Sequence, residues 1–221
     1  MLTHHSLELS FFVTLICLII GYPFAYLLTR MPKQWRSLMA LLVIVPFWTS
    51  SLLRSYAIIT IIQAHGILNT LLLKLHVIHA PLQLLYTNTA VLIGLVYNLF
   101  PFVVLPLFAN MEKMDWRLIE AAQDLGANNI TVFFRVILPM TRSGIFSAIL
   151  LTFLPAMTLF YIPDLLGGAK SLLLGNLIQM EFLEIHNWPM GATVSFALTL
   201  IMSVLLLFYF RNTPEAQRES L

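Results

Sequence analysis

One cysteine, few charges and no block of like charge deny this 221-residue chain several common ways of building a site. Cys17 stands alone in an apolar run, which excludes an internal disulfide framework and a thiolate metal centre and leaves it a packing residue. Charged residues make up 10% of the chain, the formal net charge is +2, and the basic residues are scattered, so nothing supports nucleic-acid binding. No Walker A loop, HExxH or GxSxG pattern occurs, and no carboxylate pair lies within one apolar run. These absences argue against an intramembrane enzyme or a self-sufficient secondary transporter, and no cofactor is implied. His76 and His79, three residues apart, are too few for a metal site, and none is expected.

What is abundant is apolar surface. Hydrophobic residues make up 59% of the sequence, and the mean hydropathy is +0.88, more than one soluble core can hide. A hydrocarbon layer of about 30 Å needs roughly 20 apolar residues at a helical rise of about 1.5 Å. Five runs qualify, approximately Leu7 to Leu28, Leu38 to Ile62, Thr89 to Phe108, Ser143 to Tyr161 and Gly191 to Phe210. The expected fold is all-α, a polytopic membrane bundle forming one domain over residues 1–221. The first run opens on His4, His5 and Glu8 and has no small-residue cleavage site, so it reads as a retained helix and not a signal peptide. Nine of the twelve basic residues (Arg30, Lys33, Arg36, Lys113, Arg117, Arg135, Arg142, Arg211 and Arg218) fall on one side of such a bundle. That side is expected to be cytoplasmic, which places the N-terminus outside and the C-terminus inside. Pro23, Pro46, Pro101, Pro106 and Pro155 lie within the spans, where each removes a backbone donor and predicts kinks or local unwinding.

The most structured loop is MEKMDWRLIEAAQDLGANNITVFFRVILPM, residues 111–140. It predicts two short helices: Asp115 as N-cap, Met114 and Ile119 as a hydrophobic staple, Gly126 as a left-handed stop, then Asn128 or Asn129 capping a second helix that runs toward Pro139. Leu118, Ala121, Ala122 and Leu125 recur at spacings of three and four and are expected on one face, with Glu120 and Asp124 beside it. An ordered loop with an apolar face and no lipid to bury it calls for a protein partner.

The segment EAAQDLGANNITVFFRVILP, residues 120–139, resembles the EAA loop of ABC importer permeases. The resemblance implies a type I permease fold in the bacterial inner membrane. It also implies that Glu120, Ala121, Ala122 and Gly126, with the Leu138 and Pro139 pair in the expected places, couple the chain to a dimer of ATP-hydrolysing subunits, and the face reading adds Leu118 and Asp124 to that expected surface. Further stretches, GYPFAYLL at 21–28, IVPFWTSSLLRSYA at 44–57, GLVYNLFPFVVLPL at 94–107, LPAMTLFYIPDLLGGAKSLLLGN at 154–176 and NWPMGA at 187–192, are similar to the first permease subunit of spermidine/putrescine importers. This branch implies polyamine uptake with a second, related permease and an extracytoplasmic binding protein; other solutes of the superfamily are thiamine, sulfate and ferric iron. Members of the branch usually carry six spans, so a first helix is expected to be missing.

A polyamine path needs aromatic faces and carboxylates. Trp48, Tyr56, Tyr97, Phe160 and Tyr161 lie at or within spans and Asp164 follows the fourth, although belt or core packing accounts for any single aromatic as well. Arg54 is the one basic residue inside a span. It is expected near the outer end of its helix, in an ion pair with an acid such as Asp164 or, alternatively, as a gate. Glu8, Asp164, Glu181 and Glu184 outnumber Lys74 and Lys170 outside, and residues 171–185 read as a surface or re-entrant segment for docking the binding protein.

Overall fold

The computed structural model describes residues 2–168 and 173–212. Lys170, Ser171 and Arg218, which entered the charge and docking readings, lie outside them. No strand occurs among the described residues, which are helical apart from turns and connecting segments such as 75–87.

The centre of the bundle is α5 (Asn88–Glu112). Val91, Leu95, Leu99, Val103 and Leu107 recur every fourth residue and are all buried, so one ridge of the helix is solid core. It packs between α1 (Leu2–Arg30) and α9 (Arg142–Thr158). Val13, Cys17 and Ala25 of α1 are buried in the shared core. On the other side of α1, Phe11, Phe12, Ile19, Ile20 and Leu27 are exposed, an apolar surface that only lipid or another membrane helix can cover. Pro23, Pro101, Pro106 and Pro155 are carried inside these three helices.

Near the basic end α5 and α9 touch closely. The Asn110 amide donates to Ser143 Oγ at 2.7 Å, and a Cβ placed on Gly144 would fall 2.7 Å from Asn110 Cβ. Gly144→Leu is therefore expected to force the two helices apart and lower the thermal midpoint of the purified protein, in line with the roughly 1–3 kcal/mol typical of overpacking. An unchanged midpoint would contradict this packing.

The second predicted span is divided. It begins as α2 (Lys33–Ile44), tightens into a 3₁₀ turn at Val45–Trp48, breaks at Thr49 and Ser50, and resumes as α3 (Ser51–Ile62). Pro46 lies in the tight turn, where its missing N–H and fixed φ favour a break over a continuous helix. Both pieces run along α5: Arg36 pairs with Glu112 at 3.5 Å, Phe47 meets Phe102 edge to face at 5.5 Å, and Ile58 and Ile62 join the core that holds Ala90 and Val91. After the turn at 63–66 comes α4 (Ile67–Lys74). Buried Asn69 fastens this end, donating to the Gln63 and Leu82 carbonyls (3.1 and 3.0 Å) and accepting from the Leu82 N–H (2.8 Å).

By length and composition, His4–Arg30, Ser51–Lys74 and Asn88–Glu112 are long and apolar enough to cross a membrane. The pair Asn129–Met140 and Arg142–Thr158, bent by 66°, makes a fourth if it counts as one span, and Trp188–Val204 is a shorter apolar stretch within α11 (Trp188–Asn212). The five runs of the sequence are thus corrected at the second, which is interrupted, and at the fourth, which enters through an elbow. Between α9 and α11, α10 (Leu174–Gln179) is packed and not superficial: the Leu174 N–H donates to Ser6 Oγ of α1 at 3.0 Å.

Candidate coupling elbow and transmembrane path

Residues 113–141 build the elbow at the basic end. Asp115 accepts from the Arg117 N–H (3.1 Å) and opens α6 (Arg117–Asp124). Met114 and Ile119 are both buried in one small cluster, as a staple requires. The helix stops at Gly126, whose φ is +85°. The Gly126 N–H returns to the Gln123 carbonyl (2.9 Å) and the Ala127 N–H to that of Ala122 (3.1 Å), the paired bonds of a Schellman stop. Asn128 then caps α7 (Asn129–Val132), accepting from the Thr131 N–H at 2.7 Å.

The faces of α6 divide more sharply than the spacing predicted. Leu118 is 50% and Leu125 89% exposed, and Ala121, Glu120 and Asp124 are exposed with them. Ala122 departs from this face: one residue advances the helix by about 100°, which turns it toward Ile119, Val132 and Ile137. The outward face is thus Leu118, Ala121 and Leu125, while Ile119 and Ala122 hold the helix to the elbow.

From α7 the chain widens into a π-turn at Phe133–Ile137, passes α8 (Leu138–Met140) and bends at Thr141 into α9. Pro139 donates no N–H to the turn before it, which favours the wider geometry. Thr141 is buried and shares a 2.9 Å hydrogen bond with Tyr22 Oη of α1. Arg30 closes the other side, its guanidinium 4.4 Å from the Trp116 ring centroid and donating to Tyr26 Oη at 2.8 Å. Leu138 and Pro139 lie inside this hinge, partly buried, and away from the exposed face of α6.

At the opposite end α9 stops at Thr158, and Phe160, Tyr161 and Asp164 come together. The Asp164 N–H donates to the Phe160 carbonyl (3.2 Å), so both lie on one turn, and the Phe160 and Tyr161 rings meet edge to face at 6.1 Å. Buried Asn176 organises the group, its amide donating to the Phe160 carbonyl (2.8 Å) and to Asp164 Oδ1. Partial burial pushes the Asp164 carboxyl up, the Asn176 hydrogen bond pulls it back, and nearby Glu184 adds to the rise. Asn176 escaped the sequence reading; its only signal was a polar side chain after LLLG. Glu181, counted there among surface acids, is buried.

Trp48, 80% exposed, and Tyr56 stand apart from that cluster. Tyr97 lines a groove with Arg54. The Arg54–Asp164 ion pair does not form: the Arg54 guanidinium lies 4.4 Å over the Phe47 ring. The break at 49–50 sets Arg54 beside Phe47 and residues 92–101 of α5.

A bundle of broken apolar helices that presents a short amphipathic helix beyond its basic end defines a class of membrane permease. The family described as binding-protein-dependent transport system inner membrane component matches residues 17–212, and the chain belongs to it. By family it is a permease subunit of an ABC importer, not an enzyme. Over 215 residues, 97% of this chain and 75% of the relative, it is 51% identical to the spermidine/putrescine transport system permease protein PotB of Haemophilus influenzae. It is 50% identical to the protein of that name from Escherichia coli K12 over 207 residues, 94% of this chain and 75% of the relative. Among solved structures, a bacterial alginate ABC transporter in complex with its alginate-loaded periplasmic protein superposes with a TM-score of 0.77 at 16% identity, covering 94% of this chain and 75% of that one. That likeness shows the permease fold.

Proposed function

We propose that this chain forms half of the membrane path of an ATP-driven importer for polyamines such as putrescine and spermidine. One observation carries the substrate class: Asp164 stands beside Phe160 and Tyr161 at the acidic end of the bundle, a carboxylate and two aromatic faces within one turn. Ammonium groups joined by short methylene chains are recognised by this combination, through charge pairing and cation–π contact. The identity to spermidine/putrescine permeases across nearly the whole chain supports the same reading. Trp48 and Tyr56 are assigned to the path on the same chemistry, whereas Tyr97, which shares its groove with the Arg54 cation, is not.

In this reading the basic end is cytoplasmic, the N-terminus lies outside, and a binding protein delivers substrate at the acidic end. Leu118, Ala121 and Leu125 rest on a dimer of ATP-hydrolysing subunits, with Glu120 and Asp124 at the rim. Closure of that dimer pushes α6. Ile119 and Ala122 carry the push into the elbow, where Leu138, Pro139 and Thr141 turn it into movement of α9 and of the cluster at its far end.

The test is uptake of labelled putrescine and spermidine in cells lacking their own polyamine importers, expressing this chain with its partner subunits. Asp164→Asn is expected to lower uptake at least about tenfold, the scale of one lost charge-assisted contact, with assembly retained. Uptake of labelled sulfate or thiamine in place of polyamine would overturn the substrate assignment.

A further inference from the structure

Between α1, the 3₁₀ turn, α3 and α5 lies a groove of about 550 Å³. Its walls are apolar, with Ile16 and Ile20 on one side and Val96 and Phe100 on another, and Arg54 is its one charged group. No ion pair reaches Arg54 among the described residues, its buried Nε has no hydrogen-bond partner, and its guanidinium rests on Phe47. A ring face compensates part of one charge and offers no acceptor.

Depth decides what supplies the anion. The groove spans residues 92–101 of α5, so its centre lies about 5 Å from the helix midpoint at 1.5 Å per residue. Lipid phosphates lie outside a hydrocarbon layer about 30 Å thick, some 15 Å from its centre. An acyl chain fits the groove but leaves the guanidinium without a counterion. A polyamine, being a cation, is repelled.

We infer that the groove receives a transmembrane helix of the second permease subunit, and that an aspartate or glutamate on that helix accepts from Arg54 across the interface. The inference rests on reading the chain as one of a pair of permeases, not on the identity of the solute. The break at Thr49 and Ser50 gives the pair its place: it ends the preceding turn and starts α3 one turn below Arg54, which turns the guanidinium toward Phe47 and the groove. Apolar walls shield the pair from water, where a buried ion pair fixes register and partner choice.

The experiment uses the complete importer in native membranes. Arg54→Glu is expected to lower copurification of the second permease at least about tenfold. Reversing one intramembrane acid of that subunit to lysine should restore it. A cysteine at Ile93, on the groove wall and partly exposed, should cross-link to the second permease through a short bis-thiol reagent, and this readout needs no folding of a charge variant. Unchanged copurification in Arg54→Glu, or no cross-link from Ile93→Cys to any cysteine placed along the second permease, would overturn the inference. Neither readout depends on the solute, so a failed polyamine assay and a failed interface remain distinguishable.

Discussion

Replacing Leu118 and Leu125 together by aspartate is expected to strip the ATP-hydrolysing subunits from the membrane complex while the bundle stays folded. Both side chains stand outward on α6, with half or more of their surface exposed, and neither belongs to the buried cluster of Met114, Ile119, Val132 and Ile137. Removing them takes nothing from the interior. Burying a leucine against a partner contributes about 2 kcal/mol, so two together change affinity by at least about a hundredfold. The aspartates add a desolvation cost on the same face. Copurification of the ATPase subunit from detergent-solubilised membranes measures this directly. Retained binding with lost uptake would move the docking surface elsewhere, and retained uptake would remove α6 from coupling altogether.

The contrast between the inner and outer faces of α6 also shows what a sequence carries and what it omits. Spacing located the helix, its staple and its glycine stop, because each depends on residues within a turn of one another. It grouped Ala122 with the outward residues, since an alanine fits either a close contact or a solvent face, and only Ile119 and Val132 packing behind it decide which. The second span failed for the related reason. Leu38 to Ile62 stays apolar enough on average to read as one run despite Thr49, Ser50 and Arg54, and mean hydropathy does not show where Pro46 and the residues after it break the helix. Arg54 was consequently placed by counting along a straight helix, and its assignment to Asp164 failed with that count. At the far end, the nearness of Phe160, Tyr161 and Asp164 follows from their closeness in sequence, whereas the contact that Asn176 makes depends on folding the chain back over 12 residues. Non-local contacts of this kind leave no local pattern to read.

Gly126 offers the sharpest separation of strain from bulk at the end of α6. Its φ of +85° suits glycine, and a Cβ built there meets nothing within 4 Å. Any effect of a small substitution must therefore come from the backbone, where an ordinary L-residue pays roughly 1–2 kcal/mol to hold a left-handed conformation. Asparagine visits that conformation more readily, through local hydrogen bonding. Gly126→Asn is accordingly expected to keep most uptake, and Gly126→Ala to lose several-fold as the stop that joins Ala127 to Ala122 loosens. Gly126→Trp should abolish uptake if the proposed docking of α6 holds, since the ring adds bulk on that proposed surface and leaves the membrane helices untouched. Uptake by the three variants, normalised to membrane-inserted protein, orders them. Equal loss in Asn and Ala would point to the added Cβ meeting a partner rather than to φ, and normal uptake in Trp would mean that the partner never approaches this end of α6.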